Sequence, residues 1–279
     1  MAINCKKSKN FSKLDILRTL NLPFSIDQYS TLNEKFNIGN VNPPANEYPV
    51  LGYLAIGRGG HTNIVGSGNN TLIELLQHSP TDAALFEHIP FQLVPTTNDL
   101  SVAERANYRI RLLLTINGID YFAYYLKVIT QSTISVDTQI IQIQNGQISS
   151  DTVYTPSATS LTPTPVNISN TNVNVVNGNH LVTQAILPIT LNADDIASIV
   201  NACTIIYGSV SYATISEIGI VGGFDVNTTS NIGNVAASYT EIQTAQIMAF
   251  ISVLHELQQQ PTSITFQYAV SSSSPLPAS

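Results

Sequence analysis

Apolar and polar positions alternate most clearly over residues 108–128. In YRIRLLLTI, Arg109 and Arg111 alternate against Ile110, Leu112 and Leu114, and IDYFAYYLKVI returns after Asn117-Gly118. An Asn-Gly pair supplies the two left-handed residues of a type I′ turn, so this stretch predicts a hairpin. Asn145-Gly146 and Asn177-Gly178 repeat the signal in TQIIQIQNGQIS and VNVVNGNHLV. YPVLGYLAIG reads as an apolar strand closed by a glycine cluster, and SEIGIVGGFDVN as a strand or buried segment. SITFQYAV, with Ile264, Phe266, Tyr268 and Val270 alternating, reads as a terminal strand.

Helical spacing is rarer. Ser12 and Asp15 resemble a capping box ahead of SKLDILRTL, which Asn21 and Pro23 stop. PTDAALFEHIPF predicts a short helical turn, and SVAERAN a short polar segment. NADDIASIVNAC starts as a helix should, with Asn192 as N-cap and acids in its first turn. In YTEIQTAQIMAFISVLHELQQQ the spacing of Ile247, Phe250 or Ile251, Leu254 and Leu257 predicts a C-terminal helix near 239–259, ended by Pro261. The fold class is α+β, predominantly antiparallel β in sandwich-like sheets, with a few helices. An N-terminal arm and short helix over 1–20 precede a first β-rich segment, 21–150, in which 24–49 is an extended strap. A second β-rich segment with helices, 151–270, follows the Ser/Thr/Pro-rich stretch after residue 150, and 271–279 is a flexible tail. One continuous domain is the alternative.

Composition sharpens this picture. Apolar residues make up 43% of the 279, enough for a core, while only 10% are charged, against about a quarter in ordinary domains. Ser, Thr, Asn and Gln must cover the surface. All eleven Lys and Arg lie within residues 1–127, against ten carboxylates there, and residues 128–279 hold eight carboxylates and no cation. Such a stretch cannot bind a nucleic-acid backbone by counterion release, so no sequence-specific nucleic acid is expected, and DNA would at most pass by. Compositional drift in a polar β-rich region explains the asymmetry equally well. Cys5 sits in a polar arm and Cys203 in an apolar run, which makes a disulfide improbable. The first residues lack an apolar signal region and no stretch reaches membrane-spanning length, which points to assembly in a reducing cytoplasm and to no membrane.

Candidate chemistry is sparse. GRGGH (residues 57–61) suggests a phosphate cradle assisted by Arg58, but no Gly-Lys-Ser/Thr follows, and the dinucleotide spacing also fails. The simpler reading has the glycines supplying positive φ between two strands, with His61 hydrogen-bonding the loop. His255-Glu256 lacks the second histidine of a zinc-protease helix. His78, Glu87 and His88 could share one loop, which an ordinary polar loop also explains. There is no G-x-S-x-G, Cys203 reads as a small buried hydrophobe, and Asp194-Asp195 as a complement to a helix dipole. No catalytic, cofactor-binding or metal-ligating residue is therefore assigned. Tyr121, Phe122, Tyr124 and Tyr125 crowd one strand, consistent with burial on both faces or with a subunit contact, where Tyr and Arg are enriched. The interface candidates are Arg58, His61, Arg105, Arg109, Arg111, Tyr121 and Tyr125.

YPVLGYLAIGRGGHT, the central YRIRLLLTINGIDYFAYYLKVI, and ISEIGIVGGFDVN followed by YTEIQTAQIMAFIS resemble structural proteins of tailed bacteriophages. The resemblance is loose, covers much of the chain and matches the Ser/Thr/Pro stretch least. It implies a non-enzymatic virion subunit, a ring or collar component at the head–tail neck. Its partners would be copies of itself and neighbouring connector, portal or tail proteins, and it would be assembled in the host cytoplasm. The arm 1–13 and the tail 271–279 would then order only on assembly, and the arginines would meet acidic surfaces of neighbours. A tail-fibre, collar-spike or decoration protein binding host glycans is the alternative.

Overall fold

The computed structural model describes residues 4–40, 43, 47–65, 71–131, 134–145, 147–162, 178–232, 235–259 and 263–276. The chain divides into two units, residues 1–129 with 191–264, and residues 130–190 with 265–279. The boundary expected near 150 falls instead inside a strand of the second unit.

The first unit holds strands β1 (Asn4–Lys7), β2 (Val50–Gly57), β3 (His61–Val65), β4 (Thr71–Leu75), β5 (His88–Ile89), β6 (Gln92–Pro95), β7 (Tyr108–Ile116) and β8 (Ile119–Val128). The second unit interrupts it with β9 (Val136–Gln144), β10 (Gln147–Val153) and β11 (Gly178–Leu191). The first unit resumes with β12 (Thr214–Ile232) and β13 (Val235–Glu256), and β14 (Ile264–Pro275) closes the second. Among the described residues the α-helices are α1 (Lys9–Thr19), α2 (Leu32–Lys35), α3 (Val102–Arg105) and α4 (Ala193–Tyr207), all in the first unit. The fold is α+β and predominantly antiparallel β.

In the first unit an eight-stranded sheet runs β1-β13-β12-β2-β8-β6, with β5 joined to β2 and β7 to β8. The β7–β8 hairpin is as expected: Asn117 and Gly118 take φ of 50° and 78° between Ile116 and Ile119. The sheet curls, because the guanidinium of Arg111 on β7 lies 5.6 Å from the Tyr239 ring on β13, across the intervening strands. α2 and α4 add Leu32 and Ala202 to the core of Tyr53, Ala55, Ala123, Leu126, Val221, Ile247 and Phe250.

The helix expected near 239–259 is a strand. Residues 242–253 are buried without a break. A strand covered on both faces shows no period-two alternation, so a run of apolar residues can match helical spacing by chance. The backbone is satisfied across the sheet instead: β13 pairs with β12 from Val235 to Glu256, and β1 pairs with its residues Ala249–Ser252.

Other expectations shift as well. The N-terminal arm is not loose, since Asn4–Lys7 form the edge strand β1. α1 starts at Lys9, with Ser8 rather than Ser12 as its cap; the Ser8 hydroxyl accepts from Phe11 N and donates to Ile247 O at 2.6 Å. Residues 80–91 open in a single turn closed by Asp82 N donating to Ser79 O and continue as bends and the short β5, with no helix. The strap contains α2, held by a reciprocal Thr31–Glu34 capping box. α4 has its predicted N-cap, Asn192, with Asp195 completing a capping box. The tail is strand as far as Pro275, and residues 277–279 lie outside the described residues, as does Asn177.

Among the described residues the second unit holds a four-stranded antiparallel sheet, β10-β9-β11-β14. Gln144 and Gln147 pair across the turn at Asn145, where the Asn-Gly signal placed a hairpin. Gly146 lies outside the described residues.

Candidate functional site

The glycine loop after β2 is built around a carboxylate contributed by β12. Glu217 has 1% of its side chain exposed. Its Oε1 accepts from the backbone N–H groups of Gly59 and Glu87, both at 2.9 Å, and its Oε2 accepts from Phe86 N at 2.9 Å. His78 Nε2 lies 2.8 Å from the same Oε2, and His78 Nδ1 lies 2.9 Å from Asp82 Oδ2. Both ring nitrogens can donate at once only when both carry hydrogen. The ring is stacked between Phe86 and Phe250, with centroids 4.0 and 4.2 Å away. A buried charge survives only when its lone pairs are filled, and the wrapped loop fills them.

This arrangement explains the glycines differently from the sequence. None of Gly57, Gly59 and Gly60 has positive φ; each is needed because a neighbour comes too close for a side chain, the Glu217 carboxylate at Gly57, Phe86 and Glu87 at Gly59, and the Ser216 backbone at Gly60. A Cβ on Gly57 would lie 2.5 Å from Glu217 Oε1, and one on Gly60 would lie 2.7 Å from Ser216 O. Gly60 N also donates to the Ser216 hydroxyl at 2.9 Å. GRGGH is therefore the lining of a buried acid. His61 opens β3, and its Nδ1 is buried without a hydrogen-bond partner.

Arg58 lies on the same loop. Its guanidinium meets the Tyr207 and Tyr212 rings at 4.3 and 4.8 Å and pairs with Glu87 at 3.0 Å. Burial, with the Glu87 hydrogen bond next, pushes the Tyr207 hydroxyl well above the ordinary tyrosine range. Burial also pushes the Cys203 thiol up to about 12, against the pull of Arg58. A thiol in that state is not a nucleophile at neutral pH.

A second polar cluster gathers on the β7 side of the curled sheet. Arg109 holds Asp225 of β12 bidentately, at 2.9 and 3.1 Å, and the Tyr53 hydroxyl donates to the same carboxylate at 2.5 Å. Arg111 donates to Asp99 at 3.0 Å, the Tyr124 hydroxyl donates to Asp99 as well, and Arg105 Nη1 stands 3.6 Å from it. Arg111 also lies over the Phe122 ring at 4.4 Å. Lys127, the last cation of the chain, pairs with Asp195 at the cap of α4. The cation-rich and cation-free parts of the sequence thus meet inside the first unit.

Of the interface candidates, Arg105, Arg109 and Arg111 share this cluster, while Arg58 belongs with Glu87. Their side chains are 12–20% exposed, and each is matched by an acid of the same chain. Tyr125 is in the core, its ring 4.8 Å from Phe36, and burial pushes its hydroxyl up to about 12. Tyr121 is half-buried opposite Leu114. The sequence reading missed Glu217, Asp99 and Asp225. The available signal was a lone acid in apolar ISEIGIVGG, which must find donors wherever it is buried.

Exposed apolar side chains occur in both units. In the second unit neither β9 nor β10 has a buried residue, and Val136, Ile148 and Val153 are 69, 66 and 72% exposed. The register sets Ile141, Ile143, Ile148, Val153 and Val182 on one face and Val136, Ile140, Leu181 and Ala185 on the other. In the first unit α1 turns Leu14 inward and leaves Ile16 outside, along with Leu20 at its C-cap.

Among the described residues no three His, Cys, Asp or Glu side chains gather to hold a metal ion, and no helix is long and apolar enough to cross a membrane. No curated protein and no solved structure matches the chain. One family model matches residues 5–279, and the chain accordingly belongs to that family, the family of unknown function DUF7208.

Proposed function

We propose that this chain is a structural subunit of a tailed-phage virion, a ring or collar component at the head–tail neck that works by symmetric self-assembly. The observation that carries the reading is the second unit's sheet. A sheet is stable when at least one face is buried against another layer. Here β9 and β10 bury no residue, yet both faces carry Ile and Val. A repeated neighbour would supply the missing cover, and a contact that joins unlike surfaces closes into a ring when its rotation allows. The low charge and the loose resemblance to phage structural proteins support the same reading.

Mass photometry and negative-stain imaging of the purified chain test it. Discrete ring-shaped homo-oligomers are the expected result. A monomer at micromolar concentration that binds oligosaccharide tightly would replace this reading with the glycan-binding one.

A further inference from the structure

We infer that the two edges of the second unit's sheet fit each other, so that β10 of one copy pairs with β14 of the next in a continuous antiparallel ladder. The inference rests on the assembly reading above and names the surfaces that meet. β9 is antiparallel to both β10 and β11. β11 and β14 also run in opposite directions, since Thr190 meets Thr265 at 3.2 Å while Leu276 N donates to Asn179 O at 2.7 Å. Four alternating strands leave the outer two pointing opposite ways. A second copy set beside the first in the same orientation therefore brings its β14 antiparallel to β10. That contact joins unlike edges, so it repeats around an axis.

The backbone of both edges is turned the right way. Along a strand successive residues face alternate neighbours with their N–H groups. Tyr154 N donates to Thr138 O of β9 at 2.9 Å, so the N–H groups of Val153 and Asp151 point away from β9. Leu276 N donates inward, which turns Ser273 outward; Pro275, with no N–H to leave unpaired, falls at an outward position too. β10 is exposed throughout, and Ser272, Ser273 and Ser274 are exposed with side chains too short to shield the backbone beside them. Charge favours a second copy over another partner. Asp137 and Asp151 are the only charged side chains of this unit, so like copies approach almost without repulsion, and a strongly charged partner finds little to pair with.

Two edge variants and their mixture test the pairing. Asp151→Pro with Val153→Pro removes outward N–H groups of β10, and Ser273→Pro removes one of β14, without breaking a bond inside the sheet. Each variant alone is expected to be monomeric by mass photometry at concentrations where wild type forms rings, with unchanged circular dichroism. Their equimolar mixture is expected to give one-to-one dimers and nothing larger, because one partner keeps its β14 edge and the other its β10 edge. If a proline variant loses its native circular dichroism, Val153→Lys and Ser273→Lys are compared and mixed in the same way. Rings from the β14 variant alone would overturn the pairing and leave the assembly reading standing, as would folded monomers that form no dimer on mixing. Wild type that stays monomeric would overturn both.

Discussion

A carboxylate as deeply enclosed as Glu217 dictates what its neighbours can be. Three backbone N–H groups and His78 surround it, so the loop must approach with no side chains in between. Gly57→Ala is expected to cost about 2–4 kcal/mol, since the new Cβ meets a carboxylate oxygen and the Glu87 carbonyl, neither of which can yield. Gly39→Ala, where a Cβ meets nothing within 4 Å, should stay within about 0.5 kcal/mol of wild type, and urea unfolding of both variants checks the contrast. His88, on the same segment, makes stability depend on pH. Burial, with Lys35 and His78 adding to it, lowers its pKa from 6.5 to about 3, and its Nε2 accepts from Leu85 N, which an unprotonated nitrogen must do. The unfolded chain therefore binds a proton that the folded chain refuses. His88's contribution is complete above pH 6.5 and is lost as pH falls toward 3, with a slope of up to about 1.4 kcal/mol per pH unit. His88→Gln, which keeps an acceptor, should flatten unfolding free energy between pH 6.5 and 5; an unchanged slope would refute the assignment.

Between residue and element, the clearest device is the bulge in β13. The register with β12 shifts between Gly222 and Phe224, and Thr244 takes φ of 57° while fully buried. β-Branched residues rarely adopt that conformation, so the surroundings must impose it. Asn33 of α2 does much of this: its Nδ2 donates to Ile242 O at 3.0 Å, and its Oδ1 accepts from Ala245 N at 2.8 Å, on either side of Thr244. Asn33→Ala would leave two buried backbone groups unpaired, and a loss of about 2–4 kcal/mol in chemical denaturation is expected. A loss under about 0.5 kcal/mol would show that the bulge holds itself. The sequence revealed elements whose signals are local. Asn117-Gly118 fixed a hairpin and Asn192 with Asp195 a helix start, because turn and cap chemistry act within four residues. β13 was illegible for the converse reason: its strand character comes from β12 and β1, distant in sequence, and burial on both faces erased its alternation. The site was half legible in the same way. The glycines of GRGGH announced a special loop, but Glu217 and Ser216, which crowd Gly57 and Gly60, lie some 160 residues away.

At the scale of the molecule, the charge asymmetry and the two units point to different things. The arginines, which the sequence suggested for contacts with neighbours, are matched by acids of their own chain, so they hold the first unit together. Under the assembly proposed above, the surface that meets another copy is the apolar one on the second unit's sheet. β10 is an edge strand with every residue exposed, it carries no lysine or proline to block pairing, and its only charge is Asp151. Natural edges of that kind are usually blunted, and one left open is a site for association. Ile148→Lys with Val153→Lys places two cations on that strand at positions 66 and 72% exposed, where they remove no buried contact of the chain itself. Unfolding free energy of the dilute double variant should stay within about 0.5 kcal/mol of wild type, while the rings that the proposed assembly expects of wild type should be absent from negative-stain images of the variant at the same concentration. Rings that persist would move the contact to α1, where Ile16 and Leu20 are also exposed, and Ile16→Lys with Leu20→Lys would then abolish assembly in their place.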